Sequence, residues 1–83
     1  MIAGLHGTLE ARGPNRAIIK VGGVSLQVYM PASTLSTLGA IGDEVRLHTH
    51  LHVREDSLVL YGFASQQELE LFQMLIGVTG VGP

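Results

Sequence analysis

Three groups of residues in this 83-residue sequence are of types that do chemistry. The first is Gly77-Val78-Thr79-Gly80-Val81-Gly82-Pro83, where closely spaced glycines admit dihedrals closed to other residues and let several main-chain N–H groups converge on one anion. Such a nest, followed by a helix N-terminus, holds a phosphate without any lysine. A plain glycine helix stop has the same composition. The second group is the adjacent pair Glu55 and Asp56. Carboxylates at a turn serve solubility and turn geometry. They could instead bind a metal or divide acid and base roles, but neighbours in a turn need not converge and no third acid lies close in sequence. The third group is His48, His50 and His52, alternating between Arg46 and Arg54. Residues two apart on a strand lie about 6 to 7 Å apart, so two imidazoles could share a zinc ion, yet no further ligand is evident. The same stripe also reads as a solvated polar face or, when partly protonated, as a contact for DNA. No catalytic residue, resident metal or cofactor is expected, and no G-x-x-x-x-G-K-[ST] nucleotide loop occurs.

These residues fall at the joints of a chain that reads as β, then α. Residues 2–11, 16–21, 24–30, 45–53 and 58–63 carry β-branched and aliphatic runs broken at Gly, Pro and Asn. Gly22-Gly23 is a two-residue hairpin link, since primed turns need positive φ. In the fourth run Val45, Leu47, Thr49, Leu51 and Val53 share one face, predicted buried; Arg46, His48, His50, His52 and Arg54 share the other, predicted polar. Glu55-Asp56-Ser57 then forms the tip before the fifth run. Pro31 opens a short helical segment over residues 32–38. Five strands with a helix between the third and fourth give the order of an OB barrel, preferred over an SH3-like barrel on the placing of that helix.

At Ser65 the period changes. Ser65-Gln66-Gln67-Glu68 is a capping box, and Leu69, Phe72 and Ile76, flanked by Leu71 and Leu75, form the apolar side of a helix of about three turns, ended by Gly77. A helix followed by Gly80-Val81-Gly82 has the form of a helix-hairpin-helix element whose second helix is missing from the sequence. The expected organisation is a barrel over residues 1–63 and a truncated helix-hairpin-helix start over residues 64–83. Tyr29, Tyr61, Phe63 and Phe72 are the only aromatics. They are expected to pack the core and linker, being too few for a surface that stacks single-stranded bases.

Net charge is −2, so bulk charge argues against free-standing DNA binding and any such contact must be local. With 46% hydrophobic against 14% charged residues, the chain is apolar for its size, and part of its surface is expected to meet a partner chain. No cysteine is present to supply disulfides or thiolate metal sites. The start shows no cationic signal-peptide region and no apolar run approaches membrane length, so a cytoplasmic protein without membrane contact is expected.

Met1-Ile2-Ala3-Gly4-Leu5-His6-Gly7, Gly22-Gly23-Val24, Val53-Arg54-Glu55-Asp56, Leu60-Tyr61-Gly62-Phe63 and Gly80-Val81-Gly82-Pro83 occur in the order and spacing of a known family. Over its whole length the sequence resembles the N-terminal part of the RuvA family. The resemblance implies an OB barrel through which four subunits associate, one tetramer or two clasping an open Holliday junction. It implies that Glu55 and Asp56 form an acidic pin at the junction centre, and that Arg54, Val78, Thr79, Gly80, Val81 and Gly82 contact DNA. The implied function is that of a non-catalytic subunit which holds the junction open and supports ATP-dependent branch migration by the motor RuvB, in recombination and SOS-linked DNA repair. RuvB, and the resolvase RuvC, would be met through the full-length protein. Without the rest of the hairpins, this chain is expected to bind junctions weakly. An oligomeric β-barrel scaffold with no DNA role explains the composition equally well, and a small metal-dependent enzyme on the histidine stripe is a third reading.

Overall fold

Alternation of inward aliphatic and outward polar side chains draws five strands into one sheet. The computed structural model of the chain describes residues 2–77. It contains β1 (Gly4–Arg12), β2 (Arg16–Val21), β3 (Val24–Tyr29), α1 (Ala32–Leu35), β4 (Glu44–Val53), β5 (Leu58–Phe63) and α2 (Gln66–Leu75). The order β1-β2-β3-β5-β4 closes into a barrel. β1 pairs antiparallel with both β2 and β4, β4 pairs antiparallel with β5, and β3 meets β5 in parallel through Val28↔Leu60 and Tyr29↔Tyr61. With α1 between β3 and β4, this is the five-stranded OB arrangement that the sequence predicts.

β1 serves two neighbours by bending. Its register shifts between Leu9 and Ala11, and there the Leu9 N–H donates to the Asp43 carbonyl (2.9 Å) while the Leu9 carbonyl accepts from the Gly42 N–H (2.8 Å). At Gly7 a Cβ would strike the Lys20 carbonyl oxygen and lie 2.9 Å from Val21 Cγ2, so only bare backbone lets β1 pass β2 this closely. The interior is filled by Leu9, Ala17, Ile19, Val28, Leu47 and Leu60, all buried.

α1 is shorter than the segment expected over residues 32–38, and Pro31 is its N-cap rather than part of its first turn. The Ser36 hydroxyl donates to the Ser33 carbonyl (2.8 Å) and the Thr37 hydroxyl to the Thr34 carbonyl (2.7 Å). Side chains bonding back to nearby carbonyls compete with continued helix. The Arg12 guanidinium then donates to the Leu35 and Gly39 carbonyls (3.0 and 2.6 Å), tying the segment that follows α1 to the end of β1.

α2 begins as its cap dictates: Ser65 is extended and its hydroxyl accepts from the Glu68 N–H at 3.2 Å. Gly77, at φ 73°, follows its end. Leu69 is buried, whereas Leu71, Met74, Leu75 and Ile76 are exposed. Among the described residues no helix is long and apolar enough to cross a membrane.

Candidate nucleic-acid interface

The β4–β5 pair outruns its neighbours. β1 stays in register with β4 as far as His48 and β3 meets β5 no further than Leu60, whereas β4 and β5 remain paired to Val53↔Leu58. The projecting end is closed by the Arg54 N–H, which donates to the Ser57 carbonyl at 2.8 Å. Arg54, Glu55 and Asp56 are all exposed at this tip. Among the described residues neither carboxylate is in an ion pair, so their charge is offset only by solvent and by Arg54 next in sequence. At the foot of the tip Val53 and Leu58 continue the inward-facing parity of their strands after the barrel has ended, and stand 61% and 68% exposed.

On the outer face of the same two strands the expected solvated histidine stripe is not found as such. His50 is buried, because α2 folds back across β4 and β5. The Phe72 ring meets the His50 ring edge to face with centroids 5.8 Å apart, and Gln73 Nε2 lies 3.3 Å from His50 Nδ1. Burial, and secondarily the neighbouring His52, hold the His50 imidazole below its ordinary range. His52 packs against Tyr61 (6.4 Å) and His48 is half-buried. Among the described residues no group of three or more His, Cys, Asp or Glu side chains is placed to hold one metal ion.

Around His50 lies a cluster that the sequence reading placed only loosely, as core and linker packing. Tyr29 leans on Tyr61 (6.4 Å), Tyr61 on Phe72 (4.9 Å) and Phe63 on Phe72 (5.0 Å). A signal for it was present in the parity of β5: Tyr61 and Phe63 fall on the outward face, where large rings need cover, and α2 follows at once.

Of the expected DNA contacts, Arg54, Glu55 and Asp56 share the tip. Val78, Thr79, Gly80, Val81 and Gly82 lie outside the described residues. Arg12 is held by the carbonyls of Leu35 and Gly39, while Arg16, Lys20 and Arg46 are exposed on the barrel.

A family model described as the RuvA N terminal domain matches residues 1–62. Curated relatives align with all 83 residues. A protein of Dehalococcoides mccartyi (strain CBDB1) is 53% identical, one of Herpetosiphon aurantiacus 48% and one of Stutzerimonas stutzeri (strain A1501) 51%; each is named Holliday junction branch migration complex subunit RuvA. The chain covers 43%, 42% and 41% of these relatives, less than half of their length.

Proposed function

The chain belongs to the RuvA N-terminal domain family, and from that premise we propose that it is the barrel portion of a non-catalytic, cytoplasmic subunit that binds Holliday junctions and supports their branch migration. The observation that carries this reading is the projecting tip with Glu55 and Asp56 exposed and, among the described residues, outside any ion pair. Four copies arranged about an axis would gather eight carboxylates where the DNA arms cross. At physiological salt their repulsion of phosphates acts within about 8 Å, which is short enough to part strands at the crossing without weakening contacts further out. Arg54 beside them would hold adjacent backbone. Main-chain N–H groups of residues 78–82 would grip the sugar-phosphate rails of the arms, a contact that reads shape and not sequence. Exposed Val53 and Leu58 support association of copies beside the tip. ATP hydrolysis would belong to the RuvB motor, engaged like RuvC by parts of the protein beyond this chain.

Gel-shift competition between a four-way junction and a linear duplex tests the reading, in the chain extended to the length of its relatives. Preference for the junction is expected, and Glu55→Gln with Asp56→Asn should leave junction affinity equal or tighter because repulsion is removed. Equal binding to both DNAs would favour a scaffold barrel with no DNA role, and markedly weaker binding by the double variant would contradict the acidic pin.

A further inference from the structure

The strand that ends at the acidic tip also carries the seat of α2. β4 runs from Glu44 to Val53, with Glu55 and Asp56 just beyond it, and α2, with Leu69 buried, rests on β4 and β5 through Phe72 and Gln73. His50 is the β4 residue at the centre of this seat, touching Phe72 with its ring and Gln73 with Nδ1. We propose that His50 is a positioning residue: in its neutral form it seats α2 on β4 and so fixes where the chain leaves Gly77 relative to Glu55 and Asp56, and its protonation loosens that seat. The functional weight of this rests on the reading under which the tip and the glycine-rich segment meet one junction.

The groups that face His50 offer a cation little. On its own strand the neighbours on that face are His48 and His52, both of them bases and neither an anion. Opposite it on β5 is Tyr61, and from α2 come the Phe72 ring and the neutral Gln73 amide. The carboxylates of α2, Glu68 and Glu70, are exposed, and Glu70 accepts from Gln66 (3.3 Å). Facing Nδ1 with its NH2, the Gln73 amide can donate only when that nitrogen is unprotonated. Turning the amide over would satisfy a new N–H but would not restore the water that burial removes from the charge.

An undocked ring takes up its proton near the ordinary imidazole value, about 6.5, whereas the docked ring is held lower. Docking is therefore at full strength above that value. It weakens as pH falls below it, by about tenfold for each pKa unit separating the two states, until the docked ring is itself protonated.

Amide exchange in this chain, corrected for the intrinsic pH dependence of exchange, tests the proposal at about pH 8 and about pH 5.5, either side of the imidazole range. The α2 amides should lose protection at the lower pH while those of β2 keep it, and the factor lost by about pH 5.5 should be the one that the ordinary imidazole value and the docked His50 midpoint, read from the NMR titration of its Cε1–H, together set at that pH. His50→Phe should hold α2 protection constant between the two pH values. Protection of α2 that does not change with pH in the unsubstituted chain, or that falls equally in His50→Phe, overturns the proposal. If His50→Phe does not fold, the titration decides alone: a His50 midpoint at or above the ordinary imidazole value overturns it. DNA binding is not a readout, so failure here and failure of the junction reading are told apart.

Discussion

The Thr34 hydroxyl is buried in α1 with no hydrogen-bond partner among the described residues. A donor kept from both water and protein forfeits its hydration, so Thr34→Val, which puts a methyl in its place, should stabilise the fold by about 1 kcal/mol in urea titration. At this scale the sequence is informative wherever a residue's type restricts what it can do. Gly22-Gly23 could be placed in a hairpin because few residues accept φ of 61°, and Ser65 at a helix start because its hydroxyl suits the Glu68 N–H. Gly7 gave no such sign. Its need for bare backbone comes from the Lys20 carbonyl on another strand, and nothing local to Gly7 reports that approach. Arg12 was silent for the same reason, since the carbonyls it serves belong to residues 23 and 27 positions away.

Elements follow their own period until another element intervenes. β4 alternates as the sequence predicts from Val45 to Thr49, because one face lines the barrel and the other meets solvent. At His50 the alternation fails. The outer face there is under α2, and whether a later helix folds back onto a strand is not written in the strand's own pattern. α1 overran in the reading for a different reason: Ser36 and Thr37 turn their hydroxyls onto nearby carbonyls, which the Leu35 and Leu38 spacing does not reveal. The start of α2 depends on one side-chain bond, so Ser65→Ala should cost about 1 kcal/mol of helix stability, seen as faster exchange of the Glu68 amide with the barrel amides unchanged. The glycine-rich segment, the part of the candidate site most readily named from sequence, falls outside the described residues. The carboxylate tip could be placed because a two-sided hairpin must turn between Val53 and Leu58, and Glu55 and Asp56 stand in that gap.

For the molecule as a whole, the apolar excess of the composition surfaces at the foot of the tip and along α2, where Leu71, Met74, Leu75 and Ile76 are exposed. Val53 and Leu58 face the inward side of strands that have outrun their barrel, so the expectation is that they pack against another copy. Light scattering should give a mass above that of one chain, and Val53→Ser with Leu58→Ser should lower it while the β circular dichroism stays the same; a mass unmoved by the double substitution would place the contact elsewhere. Closure of the barrel bears on how such copies can meet. Every strand already has a neighbour on each side over part of its length, which leaves only short free edges, on β3 beyond its two pairings with β5 and on the projecting end of β4 and β5, for the strand addition by which open sheets grow into fibres. Assembly is then written mostly in side chains. Its strength can then drift by single substitutions, from lasting rings to fleeting encounters, while the architecture beneath stays as it is.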